Sequence, residues 1–500
     1  MKSHFCINTN NNKYLYSIND NIITINHPIL EYLVKFYDKN KKTTFPTYQE
    51  IKDSSIIIYD EETYRYYIQK FFFLKRTGFF DPFNRKEDYN GKINVDDIYS
   101  SLANTKQITF EVTERCNLKC IYCGYGRLYS NNQERIRRDL SFDDAKTLID
   151  EILELKESIF SLSLKHVVYF SFYGGEPLLN MKLIKEIVSY IKSKNCRNIE
   201  PRFSMTTNGI LLKRHVDFFV NNNFNILISL DGNKDNNKLR VGKNGENYFD
   251  IIIGNVNYIK ENYRDFYETN ISFNSVLHSE NSVEEIHNFF FENYNKIPTI
   301  AELNTNGVSS DCQKQFDDLF MNFNESYKNS KNKKEIEERM EYIHPNILNI
   351  NNFLYAYTNF AFFTYNNLIF PKRNKNKIPT GTCFPFSKKV FVTATGCILP
   401  CEKIGNIEFY GKTNNGKVTI NYDGLVNKFN SDVDRIKNKC RICYFADNCL
   451  KCIYYTNEGN VCDFFMDKEI FLNYLSNTLM AIENSNTEFK EILKNLEIDL

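Results

Sequence analysis

From Ile108 onward the apolar positions switch repeatedly between a period of two and a period of 3.6. Runs at 108–113, 167–172, 201–206, 225–230, 270–277 and 300–304 read as strands, and 141–156, 181–194, 211–222, 247–262 and 282–294 as helices. Strands alternating with helices predict a parallel sheet with right-handed crossovers. Six such units in about 200 residues fit the α/β class as a partial (β/α)6 TIM-like barrel, whose chemistry sits on loops after the strand carboxyl ends. Ahead of it, residues 13–26 alternate around Asn19-Asp20-Asn21 and read as a β-hairpin. A helix is expected from His27-Pro28, a strand at Ile56–Tyr59, and a helix capped by Asp60-Glu61-Glu62 that runs to Lys75 and ends before Gly78. Between 313 and 380 the rhythm breaks. Phe316–Phe323 and Phe353–Phe363 carry aromatic stripes suited to core-facing helices, and Lys328–Glu338 is a charged, solvated helix.

These patterns divide the 500 residues. Residues 1–85 form a small α+β module, winged-helix-like; 86–105 read as a linker; 106–310 form the barrel. A helical bridge at 311–380, a cysteine-rich extension at 381–466 and a C-terminal helix at 467–500 follow. Lys and Arg number 63 against 62 Asp and Glu. That near-zero balance disfavours nucleic acid as a partner. No run of 18 apolar residues is present, and the polar start Met1-Lys-Ser-His is unlike a signal peptide, so a cytoplasmic, non-membrane protein is expected. Fourteen Cys, most of them in two blocks, point to metal ligation rather than disulfides.

The first block, Cys116-Asn-Leu-Lys-Cys120-Ile-Tyr-Cys123, places three thiols on one loop directly after the first barrel strand. At this cysteine content the spacing arises by chance in about one chain in a hundred. A structural zinc needs four ligands. The next Cys and His in the chain, Cys196 and His166, are far off in sequence. Three thiolates on a four-iron cluster leave one iron open for another ligand. His166, His215 and His287 have no Cys at ligand spacing and read as structural or surface residues.

This CxxxCxxC loop resembles that of the radical S-adenosylmethionine superfamily. The resemblance implies a [4Fe-4S] cluster whose open iron is chelated by S-adenosylmethionine, and reductive cleavage to a 5′-deoxyadenosyl radical that takes hydrogen from an unactivated carbon. The strand ends carry matching motifs. Gly174-Gly175-Glu176-Pro177 follows the second strand; its glycines would let backbone approach a ligand, and Glu176 would face the methionine ammonium. Thr206-Thr207-Asn208-Gly209 follows the third and reads as architectural. Ser229-Leu230-Asp231-Gly232 follows the fourth, with Arg240 beyond; by resemblance, Ser229, Asp231 and Arg240 belong to the cofactor site, the Ser and Arg holding the carboxylate and ribose side. Tyr122 would stack near the adenine.

The second block, Cys383, Cys397, Cys401, Cys440, Cys443, Cys449, Cys452 and Cys462, is similar to the SPASM extension of such enzymes. That similarity implies two auxiliary [4Fe-4S] clusters: Cys440, Cys443, Cys449 and Cys462 on one, Cys383, Cys401 and Cys452 on the other. Two departures stand out. Only Leu450 and Lys451 separate Cys449 from Cys452, where the family has three residues, and no Cys lies just upstream of Cys383. The second cluster's fourth ligand is therefore left between Cys312, Cys397 and an open iron. Glu402 follows Cys401, where anaerobic sulfatase-maturating enzymes place an acidic general base.

The expected function is a radical enzyme that matures a peptide or protein side chain, most simply a ribosomally made precursor peptide captured by the N-terminal module through strand addition. A flavodoxin- or ferredoxin-type electron donor is implied. The rival enzyme is a formylglycine-forming sulfatase maturase; the rival of another class is a non-catalytic zinc scaffold for peptides or nucleic acid.

Overall fold

The computed structural model describes residues 3–484 apart from 20–21, 25–26, 41–43, 54–58, 83–88, 130–134, 136, 195–197, 306, 341–349, 351–352, 354–377, 380–382, 403, 405–409, 415, 447–448, 450, 456–461 and 463. Two sheets order the chain. The smaller holds β1 (His4–Asn8), β2 (Lys13–Ser17) and β3 (Ile22–Thr24), all antiparallel with β2 central. The expected hairpin is β2–β3. Strand β1 is additional, pairing Phe5 with Tyr16 and Ile7 with Tyr14.

Helices α1 (Pro28–Asn40), α2 (Tyr48–Asp53) and α3 (Glu61–Arg76) back this sheet. Pro28 opens α1, and Asp60 Oδ1 caps α3 by accepting the Thr63 N–H at 2.7 Å. Leu15, Ile29, Leu33, Phe71 and Phe79 fill the space between. The strand expected at 56–59 lies outside the described residues except for Tyr59, which is in no strand.

The larger sheet has ten strands. Its parallel series is β4 (Gln107–Thr113), β5 (His166–Gly174), β6 (Ile199–Thr207), β7 (Phe224–Ser229), β8 (Ile271–Leu277) and β9 (Thr299–Glu302), in chain order. That is the mixed α/β partial barrel expected. On β4, Ile108, Phe110 and Val112 enter the core under the crossover helices, leaving Gln107, Thr109, Glu111 and Thr113 on the opposite face. The helices after the first strands are α5 (Phe142–Lys156) and α6 (Met181–Ser193).

Two readings need correction. The segment read as a linker contains α4 (Val95–Asn104), held by a capping box between Asn94 and Asp97 and burying Ile98 and Leu102. Its ten residues were obscured by neighbouring charges and the Asn90-Gly91 turn signal. The helix expected over 211–222 is a 3-10 turn, Leu212–His215, followed by α7 (Val216–Asn221). The cysteine-rich extension joins the barrel sheet: β10 (Val390–Val392) pairs parallel with β4, Phe391 opposite Thr109, and β11 (Cys397–Leu399) with two further antiparallel strands continues the same sheet. A three-residue strand is too short to show a period, so this junction was invisible in the sequence. Phe316 and Phe323 are buried, as their stripe suggested; 354–363 of the second stripe lie outside the described residues.

Farther on, α14 (Tyr422–Ile442; α8 to α13 are Phe249–Asn262, Arg264–Asn270, Val283–Tyr294, Gln313–Leu319, Phe323–Lys328 and Lys333–Met340) ends at Cys443, and α15 (Lys468–Asn484) packs back on the small sheet. Among the described residues no helix is long and apolar enough to cross a membrane.

Candidate active site

Strand β4 delivers the cysteine loop, and the loops after β5, β6 and β7 hold it. Gly175 N–H donates to Thr113 O at 2.9 Å and Glu176 N–H to Arg115 O at 2.8 Å. A Cβ on Gly174, whose φ is +146°, would lie 2.4 Å from Thr113 O, and one on Gly175 2.3 Å from Arg115 O. The glycines therefore first serve the close approach of two backbones, rather than of a ligand as the sequence suggested. From β6, Asn208 Nδ2 donates to Asn117 Oδ1 at 2.7 Å and approaches Cys116 Sγ at 4.0 Å. From beyond β7, Leu239–Val241 pairs with the loop in strand fashion: Lys119 N–H donates to Val241 O and Ile121 N–H to Leu239 O. That pairing sets Arg240 beside Cys120 and Tyr122.

Cys116, Cys120 and Cys123 line one cavity of about 610 Å³ together with Tyr122, Gly174, Gly175, Glu176, Ser229 and Arg240. Burial pushes the Cys116 thiol up to about 11 and Cys120 up to about 12. They become ligands only when a metal displaces the proton. Among the described residues no three His, Cys, Asp or Glu side chains converge closely enough to hold one ion. A cubane offers a separate iron to each thiolate, so its ligands stand farther apart than those of one zinc ion. The donor set fits such a cluster. Leu118 N–H donates to Cys116 Sγ at 3.4 Å, the kind of contact that tunes a ligand sulfur.

Two expected contacts are placed differently. Glu176 is buried, and both its oxygens are taken by the chain: Oε1 accepts from Leu178 N–H and Thr207 Oγ1–H, Oε2 from Asn208 N–H. It ties β5 to β6 while still lining the cavity. Burial nonetheless pushes its carboxyl up to about 7. Asp231 is not among the lining residues. It is fully buried behind the wall, where Tyr122 O–H donates to it and Arg240 Nε stands 3.0 Å away. The charge balance requires this, since an unpaired guanidinium there would be costly.

Part of the cavity wall is what sequence reasoning left incomplete. Glu402 lines the cavity, with its carboxylate 3.0 Å from Lys389 Nζ. Tyr125, Tyr173 and Arg135 line it too. The guanidinium of Arg135 lies 3.4 Å over the Tyr125 ring and pairs with buried Glu111, whose Oε2 accepts the Ala394 N–H after β10 at 3.0 Å. Burial pushes the Tyr173 phenol up to about 12. Glu111 could have been found, as a charge inside a strand; Arg135 carried no signal.

In the second block, Cys440, Cys443 and Cys449 pack into one cluster with Tyr444 and Phe471. Met466 N–H donates to Cys443 Sγ and Lys451 N–H to Cys449 Sγ, both at 3.4 Å, and Phe465 N–H donates to Cys462 O. Cys462 thus enters the same neighbourhood. Cys383 is exposed, whereas Cys401 and Cys452 are half-buried. Cys312 lies elsewhere, packed with Tyr122, Leu128 and Leu239, its thiol donating to Arg127 O.

Residues 110–291 match the family model described as the radical SAM superfamily. The chain is 27% identical over 183 residues to a cysteine-type anaerobic sulfatase-maturating enzyme of Clostridium novyi, covering 36% of this chain and 46% of that protein. It is 26% identical over 212 residues to the radical SAM cyclopropyl synthase TigE of Paramaledivibacter caminithermalis, covering 40% and 42%. The chain therefore spans less than half the length of these curated relatives. The solved structure of native anSMEcpe with bound AdoMet shares the fold at 17% identity, with a TM-score of 0.50 over 78% of this chain and 99% of that one. The thiol loop and the strand-end loops that hold it, residues 110–291 of this chain, are a radical SAM domain.

Proposed function

We propose that this chain is a radical S-adenosylmethionine enzyme that modifies a side chain of a ribosomally made precursor peptide. One observation carries the reading: three thiols, Ser229 and Arg240 line one cavity together with Glu402, Tyr125 and Tyr173. A [4Fe-4S] cluster with S-adenosylmethionine, when bound there, supplies a carbon radical able to take hydrogen from an unactivated carbon. The chain does the rest. Cys116, Cys120 and Cys123 would hold the cluster, and Arg240 and Ser229 the carboxylate and ribose side of the cofactor. Tyr125, Tyr173 and Arg135 narrow the substrate end and exclude water. Glu402 would take up the substrate proton.

The second block supports two auxiliary clusters, with Cys440, Cys443, Cys449 and Cys462 on one and Cys383, Cys401 and Cys452 on the other. For the open position, Cys397 on the β11 hairpin with Cys401 is better placed than Cys312. The small sheet offers β3 as an edge for an incoming peptide strand, since β1 faces α15. Sulfatase maturation is the second reading, favoured by what the Clostridium novyi relative is named for; a peptide-capturing module speaks against it. An electron donor of the flavodoxin or ferredoxin type completes the system.

The test is anaerobic co-expression with a small open reading frame encoded beside the gene, followed by mass and stereochemical analysis of the peptide. Loss of two hydrogens per event supports crosslinking or oxidation, and an inverted centre at unchanged mass supports epimerisation. A peptide recovered unaltered in both respects overturns the proposal.

A further inference from the structure

Four side chains that no strand-end motif explains together converge at the wall of the cavity. Asp231, on the loop after β7, has no exposed surface. Its Oδ1 accepts the Val276 N–H at 3.0 Å from β8. Its Oδ2 accepts the Tyr122 O–H, lies 3.0 Å from Arg240 Nε, and faces His278 Nε2 at 3.7 Å. His278 Nδ1 accepts the Glu280 N–H at 3.2 Å, and Asn281 Nδ2 stands 3.1 Å from Nε2. Tyr122 is held between the imidazole and the guanidinium, its ring 5.6 Å from the one and 5.5 Å from the guanidinium carbon of the other.

Arg240 and Tyr122 both line the cavity, and Arg240 is the one that brings a charge to it. Its inner nitrogen, Nε, is fully buried and meets Asp231 as an ion contact outside hydrogen-bond geometry. Its two Nη atoms have no hydrogen-bond partner among the described residues and are not sealed off. A guanidinium gripped at Nε alone has lost most of its rotamer freedom while its outer donors remain available to a planar anion. The buried carboxylate also balances a charge that would otherwise be too costly to keep in the wall.

We infer that Asp231 is a positioning residue: through its grip on Arg240 and Tyr122 it presets the cofactor's carboxylate-binding fork before the cofactor arrives. The inference rests on the radical S-adenosylmethionine reading above. It accounts for why Asp231 sits in the site motif yet does not line the cavity, and it gives His278 a task, as the second neighbour holding the carboxylate in place.

The experiment is equilibrium binding of S-adenosylmethionine to the full chain, anoxically reconstituted, with iron content measured alongside, for D231N, R240Q and D231N/R240Q. Asparagine keeps the size and one acceptor but removes the charge. D231N weakens binding by at least about tenfold at unchanged iron content, and the double variant binds no more weakly than R240Q, because nothing remains to be positioned. D231N that fails to load iron while the double variant loads normally supports the same conclusion, since neutralising Arg240 is then the carboxylate's task. D231N that binds like the wild type overturns the inference, as does a double variant weaker than R240Q by the D231N factor, or failure of both Asp231 variants to load iron. Wild-type protein that loads iron but binds no S-adenosylmethionine overturns the underlying reading, and the inference with it.

Discussion

Glu402 and Gly175 separate the two kinds of residue a radical site needs, one for chemistry and one for shape. Glu402 lines the cavity beside Lys389. Its replacement by Gln should leave uncoupled cofactor cleavage intact while peptide product falls at least about a hundredfold, the scale of general-base catalysis. Chromatography of deoxyadenosine and peptide in one reaction checks this; normal product yield would remove Glu402 from the mechanism. Gly175 has no room for a methyl group, since the intruding atom would meet the Arg115 carbonyl at 2.3 Å. G175A should cost about 1–3 kcal/mol of stability and displace the cysteine loop, read as lower iron content after reconstitution. The thiol trio, Ser229, Arg240 and Glu402 were legible because motif spacing survives in one dimension. Arg135 was not, because its partners Glu111 and Tyr125 are distant or unremarkable in sequence and only the folded loop brings them together.

At the scale of elements, helix α4 and strand β4 are joined by a connection whose carbonyls are satisfied from a third element. Lys156, the last residue of α5, is 2% exposed, and its Nζ donates to Ala103 O at 3.1 Å and Thr105 O at 2.6 Å. Burial pulls its pKa down to about 8. The unfolded chain then binds more protons than the folded one between about pH 8 and the ordinary lysine value near 10.4, so this group makes stability rise with pH across that window. K156M should lose that rise while being less stable overall by about 1–3 kcal/mol, because two buried carbonyls lose their donor. Denaturant melts of the two proteins at pH 7.5 and 9.5 give the comparison; parallel pH slopes would contradict it. The barrel strands were readable from apolar periodicity, each to within two residues at either end. Strands β1 and β10 and helix α4 were not, because three- to ten-residue elements in mixed-polarity sequence are fixed by pairing and packing rather than by local pattern.

Across the whole molecule, the N-terminal sheet and the second cysteine block share one core. Phe5 meets the Tyr444 ring at 5.6 Å, Tyr16 meets Phe471 at 5.5 Å, and Glu483 at the end of α15 accepts from Thr9 Oγ1, Asn12 Nδ2 and Tyr14 O–H. The module proposed to capture a peptide is thus packed against the segment carrying Cys443. F471A, which empties the middle of this contact, should cost about 3–5 kcal/mol locally. Hydrogen exchange should then quicken both in β1–β2 and at 443–446, while the barrel strands keep their protection; quickening in β1–β2 alone would show that the two regions are not one unit. No sequence pattern announces this arrangement, because its residues lie more than 400 positions apart. The central proposal is that Cys116, Cys120 and Cys123 would hold an iron cluster with one corner free for S-adenosylmethionine. The most direct measurement is deoxyadenosine release by anoxically reconstituted protein given dithionite and S-adenosylmethionine, with metal analysis of the same sample. Iron-loaded protein that releases deoxyadenosine, and a C116A/C120A/C123A variant that does not, is the predicted result; protein that carries zinc in place of iron, or releases none, would contradict it.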